Sequence, residues 1–234
     1  MTSDPAGGGH ARRRGFKPGI PTPRAGARTT RLMGMTDLTP RREATVGRLV
    51  EAAITQFATR GIDATSVEQL CDAAGFTRGA FYSNFTSKDD LCTAIIERYR
   101  DKVLAGLSET IAELPPEADV ETVASTTLEH FLKVLAPSRE MKVTLTEICL
   151  RALRSPGLAA QLEQISDETR PALVGFIESL AARLDVKFVL PTEHILTIFD
   201  ALYSYEIQGY NGDSVRQLLT PLAISLIRAG GKPQ

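Results

Sequence analysis

Between Gly75 and Lys88 the chain gathers side chains that can read or grip a nucleic acid. Arg78 carries a planar fork of donors suited to the two acceptors on a guanine edge, and Asn84 can pair with adenine or bond a phosphate. The methyl of Ala80 can meet that of thymine, and Gly79 lets the backbone approach closely. Tyr82 and Ser83 complete the polar side of this segment, while Phe81 and Phe85, four residues apart, are committed to a core. Lys88 lies at the next helix start, where its ammonium and the free amides would form a phosphate clamp. Other chemistry is not visible. The chain shows no Ser/His/Asp, Cys/His or paired-carboxylate constellation, no Gly-rich phosphate loop and no metal-ligand spacing. With His10 in the tail, His130 and His194 are far apart in sequence. These observations predict a protein that is not an enzyme and needs no cofactor or metal.

Elements able to position the reading residues are legible on both sides. Thr39-Pro40 is an N-cap followed by proline, and Val46, Leu49, Val50, Ala53 and Phe57 repeat on one helical face. Gly61 should end that helix. Thr65-Ser66-Val67-Glu68 has the form of a capping box, with Thr65 as cap. It opens a short helix whose inward residues are Val67, Leu70, Cys71 and Ala74, stopped by Gly75. Thr77 can cap the next short helix, and Ser87 a long one running to about Leu114 before Pro115-Pro116. Two short helices joined through Ala73-Ala74-Gly75-Phe76 have the geometry of a helix-turn-helix. In such a unit the second helix lies in the major groove.

Charge divides the chain. Its net charge is −1, yet residues 1–42 hold nine basic and two acidic side chains, a local +7 that leaves −8 for the rest. Residues 1–36 are rich in Gly, Pro, Arg and Thr, lack periodicity, and read as a disordered basic extension. That extension is either dispensable, with Met33 or Met35 as the start, or an arm that contacts nucleic acid. Across residues 43–90 acids outnumber bases seven to four, so nonspecific attraction there is modest. No apolar run approaches the ~18 residues of a membrane span. Cys71, Cys92 and Cys149 contain no CxxC and fit free thiols in a reducing cytoplasm.

The stretch from Thr65-Ser66-Val67 through Ala73-Ala74-Gly75-Phe76-Thr77-Arg78-Gly79-Ala80-Phe81-Tyr82-Ser83-Asn84-Phe85 to Thr86-Ser87-Lys88-Asp89-Asp90-Leu91 closely resembles the DNA-binding signature of the tetracycline-repressor (TetR) family of bacterial regulators. The likeness covers roughly residues 40–92, with turn, aromatic pair and lysine in register. It departs at Asn84, where the family often has His. The resemblance implies that Thr65, Tyr82 and Lys88 touch the DNA backbone and that Arg78, Gly79, Ala80 and Ser83 approach bases. It further implies an all-α protein: a three-helix helix-turn-helix DNA-binding domain over 37–92, then a helical effector-binding and dimerisation domain over 93–234. A homodimer would place two recognition helices on a palindromic double-stranded operator, from which a small-molecule effector releases the repressor.

Beyond Pro116 the periodicity predicts helices near 118–136, 138–154, 157–183, 191–210 and 213–229, with Pro221 expected to kink the last. The 191–210 segment is apolar on nearly all sides and must be covered twice. Candidate effector contacts are Phe131, Met141, Leu145, Ile148, Phe176, Phe199 and Tyr203, with His130, Glu147 and His194 as polar handles. That set suits a lipophilic effector, an aromatic compound or an acyl chain. Arg139, Lys142, Arg151 and Arg154 form either an attraction for an anionic head or a solvated face. The competing reading is a nonspecific nucleic-acid binder driven by the Arg-rich tail, in which the helical bundle only dimerises.

Overall fold

The structure, a computed structural model, describes residues 39–113, 119, 121–123, 126, 138–207 and 212–229. Helices dominate: α1 (Pro40–Arg60), α2 (Val67–Ala74), α3 (Arg78–Tyr82), α4 (Lys88–Glu113), α5 (Arg139–Ala152), α6 (Pro156–Arg183), α7 (Thr192–Ile207) and α8 (Gly212–Ser225). Two three-residue strands, β1 (Val186–Phe188) and β2 (Ile227–Ala229), pair antiparallel with Lys187 opposite Arg228. The fold is all-α with this one small ribbon. Residues 1–36 and most of the helix expected near 118–136 lie outside the described residues.

Local chemistry accounts for the helix ends. The side chain of Ser66 accepts from the Gln69 amide while Gln69 accepts from the Ser66 amide, so the capping box is Ser66/Gln69 rather than Thr65/Glu68. The register moves by one because the Thr65 hydroxyl turns inward to the Gly61 carbonyl, at 2.7 Å. Thr39 has the extended backbone of a cap but no side-chain cap bond. Gly75 sits at φ 69°, ψ 39°, the left-handed conformation that closes α2 and turns the chain into α3. A Cβ there would also stand 2.9 Å from Arg48 Nη2, whose bond to the Ala74 carbonyl caps the same turn. The last helix stops at Ser225, four residues before the expected end, because the chain leaves it to pair as β2.

Leu49, Val50, Ala53 and Phe57 of α1, Leu70 and Cys71 of α2, Phe81 of α3 and Leu91, Cys92 and Ile95 of α4 form one sealed core, each at most 2% exposed. Ile148 of α5 and Leu158 of α6 complete it. The first three helices therefore close their core only with help from later in the chain. The rest of α6, with α7, α8 and the ribbon, packs more loosely around a second apolar centre.

Candidate nucleic-acid interface and apolar cavity

The short helix α3 is held from beneath and open above. Thr77 accepts from the Ala80 amide at 3.2 Å and starts the helix. Phe81 is fully buried, stacked edge-on against Tyr82 at 5.3 Å between centroids and tilted against Phe85 at 5.6 Å. That anchor leaves Arg78, Gly79, Tyr82 and Ser83 exposed, with Ala80 and Asn84 partly so. All six groove-facing expectations thus share one accessible surface.

Its polar groups already have partners within the chain. Arg78 Nη1 lies 2.5 Å from Glu68 Oε1, and its guanidinium sits 5.9 Å from the centre of the Tyr82 ring. Glu68 is held below the usual carboxylate range by its own backbone amide, then by the Ser66 side chain and the Arg78 charge. Ser83 Oγ donates to the Ala80 carbonyl at 2.9 Å, and Asn84 Nδ2 donates to the same oxygen at 2.8 Å. Asn84 Oδ1 accepts from Arg42 Nε at 3.0 Å, which ties the start of α1 to the end of α3.

Two expected backbone contacts fall elsewhere. Thr65 is fully buried, and its hydroxyl closes the α1–α2 loop instead of facing a ligand. Lys88 turns into the same loop, donating to the carbonyls of Ile62 (2.6 Å), Thr65 (2.9 Å) and Asp63 (3.4 Å). Its ammonium thus ties down the α1–α2 loop in the chain by itself. Burial first, and then the neighbouring Arg151 charge, pushes its pKa down. The start of α4 is capped by Ser87, whose Oγ accepts from the Asp90 amide at 3.1 Å.

Sequence reasoning missed a polar seam that joins this unit to α5 and α6. Thr144 donates from its buried hydroxyl to the Ile54 carbonyl at 3.0 Å, and Glu147 accepts from the Ile62 amide at 3.3 Å. Arg151 bridges Asp63 and Asp89, at 2.5 Å to each, and Ser155 donates to Asp89 at 2.9 Å. Its partners lie 62 and 88 residues away, and no local pattern announces them. Glu147 and Arg151 are thereby removed from the expected effector contacts.

The remaining expectations divide. Phe176 and Phe199 line an apolar cavity of about 150 Å³, together with residues such as Leu107 of α4, Leu180 of α6, Phe188 of β1 and Ala223 of α8. Among the described residues, its wall consists of hydrocarbon side chains and rings. Met141 and Ile148 instead pack on the core beneath α1, because α5 lies against α1 rather than against the cavity. Leu145, on the same helix, is buried and is not part of the cavity wall. Tyr203 meets Tyr99 of α4 hydroxyl to hydroxyl. His194 is exposed on α7, away from the wall, and Phe131 and His130 lie outside the described residues. Among the described residues no helix is long and apolar enough to cross a membrane.

Comparison with known proteins bears on the same segment. Residues 49–95 match the profile of the bacterial regulatory proteins of the tetR family. An uncharacterised HTH-type transcriptional regulator of Bacillus subtilis, YwcC, is 33% identical over 95 residues, 40% of each chain. The HTH-type transcriptional repressor KstR2 of Rhodococcus jostii is 34% identical over 82 residues, 35% of this chain and 40% of that one. These alignments span well under half the length of either relative. The fold extends further: a crystal structure of a TetR-family regulator from Rhodococcus sp. superposes with a TM-score of 0.64 at 16% identity, covering 80% of this chain and all of that one. A segment that matches the tetR-family profile thus lies near one end of the chain, and the fold of a solved TetR-family regulator is shared along most of its length.

Proposed function

We propose that the chain is a ligand-responsive, sequence-specific DNA-binding transcriptional regulator that acts as a repressor on a palindromic operator. The observation that carries the reading is the accessible face of α3, with Arg78, Tyr82 and Ser83 exposed over a sealed anchor of Phe81 and Phe85. Arg78 and Asn84 supply base-reading chemistry, Gly79 and Ala80 allow close approach, and Tyr82 grips the backbone. A homodimer through α7 and α8 would repeat this face about one DNA turn away, roughly 35 Å. Exposed Tyr205, Leu218 and Ile224 on those helices support that pairing.

The effector proposed for the cavity is small, uncharged and lipophilic. A void of about 150 Å³ has room for one aromatic ring, and among the described residues its wall has no polar side chain to bind an anionic head. Helix α4 links the two sites. Lys88 at its start holds the α1–α2 loop, and Leu107, about 28 Å along, forms part of the cavity wall. A ligand that fits one placement of α4 better than another shifts the reading heads between productive and unproductive spacing. A coupling of about 1–3 kcal/mol would lower operator affinity roughly 5–150-fold.

The test is selection from a random duplex pool, followed by anisotropy titration of the preferred duplex and a scrambled one. Arg78→Ala should flatten preference at one base position, while Tyr82→Ala should weaken both duplexes alike. Equal binding of the wild-type chain to both duplexes would reject sequence reading and leave the tail-driven alternative. For the effector, benzene and toluene should raise the Tm and loosen the selected complex. If neither does so at saturation, the lipophilic-effector reading fails.

A further inference from the structure

We infer that Glu68, on α2, is a specificity-determining residue that aims the Arg78 fork at a base and keeps it from phosphates. The inference deepens the proposed reading of DNA by α3 and rests on it. Arg78 is the sole cation of α3 and occupies its first turn, where it is 61% exposed. An unrestrained guanidinium there would bond any phosphate within reach, because a phosphate offers oxygens in every register of the duplex. Glu68 removes that freedom. Its carboxylate holds Arg78 Nη1 at 2.5 Å, and the Tyr82 ring lies 5.9 Å from the guanidinium centre.

The geometry leaves a usable remainder. A guanidinium has five donors, and the contact with Glu68 engages one nitrogen. Tyr82 is a second partner of the same guanidinium, and the donors left beyond Glu68 and Tyr82 can still meet the acceptors of a guanine edge. The acid itself is fixed rather than floating: its own backbone amide and the Ser66 hydroxyl hold the carboxylate in its charged form at the start of α2. A base edge can accept from the aimed Arg78. A phosphate in the same place would meet the Glu68 charge as well, and like charges at that separation are repelled. Glu68 thus lowers affinity for arbitrary DNA and leaves affinity for the preferred site largely intact.

The experiment compares the wild-type chain with Glu68→Gln and Glu68→Asp, using the preferred and scrambled duplexes selected from a random pool, over a range of salt concentrations. Glu68→Gln should bind the scrambled duplex about 3- to 10-fold more tightly, and its log affinity should fall more steeply with log salt by about 0.9, one added phosphate contact. Its preferred-to-scrambled ratio should drop by a similar factor, and Glu68→Asp should recover part of it. A purely structural role for Glu68 would lower the Tm and weaken both duplexes equally, and that outcome overturns the inference. An unchanged ratio and salt slope overturns it too. A wild-type chain with no preferred duplex would reject the reading of α3 itself, an outcome separable from any effect of the Glu68 variants.

Discussion

The helices that present α3 and the helices that enclose the cavity use the same residue types, yet they pack in opposite ways. Phe57, Phe81 and Ile95 are sealed, and most helix ends and turns around them are tied by a side-chain bond: Ser66 with Gln69, Thr77 with Ala80, Arg48 with Ala74, Lys88 with the α1–α2 loop. Around Phe176, Phe199 and Leu180 the side chains stop short of one another and leave a void. A sealed core holds one arrangement, because moving any part of it opens space that costs free energy. A wall around a void can move at less cost, and a guest can favour one position of it. For the proposed function the contrast teaches where rigidity is needed: a face that reads DNA must keep its geometry, and a cavity that answers a ligand must not.

That contrast can be broken most forcefully at Phe57, which is completely buried at the centre of the first core. Phe57→Ala should cost about 3–5 kcal/mol in a urea titration. A loss below 1 kcal/mol would mean that this core is not sealed. The next largest effect is expected at the seam. Asp89 and Arg151 are each about one-quarter exposed, and Ser155 adds a second bond to the same carboxylate. Arg151→Ala should cost about 1.5–3 kcal/mol, and a double-mutant cycle with Asp89→Ala should recover much of that as coupling. Asp63, at 76% exposure, should contribute far less.

The smallest effect is the most diagnostic, because one substitution should change sign between the two regions. Ala53 is fully buried in α1, so Ala53→Leu overpacks its surroundings and should destabilise by about 1–3 kcal/mol. Ala181 lines the cavity, so Ala181→Leu should fill part of it and add about 0.5–1 kcal/mol. The same filling should abolish any rise in Tm with benzene. If both substitutions destabilise equally, the cavity wall is as rigid as the first core.

The sequence by itself determined most of what is local. The apolar face of α1, the stop at Gly75, the Thr77 cap, the start at Ser87 and the inward pair Phe81 and Phe85 were legible because each depends on neighbours within a few residues. The exposed face of α3 followed from the same periodicity. The partners of its polar groups did not, since Arg42 meets Asn84 across 42 residues and Lys88 meets Ile62 across 26. Nor could periodicity say which neighbour an apolar face would meet. Met141 and Phe176 look alike as candidates, yet one packs beneath α1 and the other lines the cavity. Residues 226–229 show the same limit. Their apolar spacing continues that of α8, but Val186–Phe188 stands beside them and offers a ladder of backbone bonds, so Ile227–Ala229 form a strand. Local patterns set which side of each helix is buried. Only the packing of distant segments decided what lies against it, because that choice depends on contacts whose free energy no stretch of sequence contains.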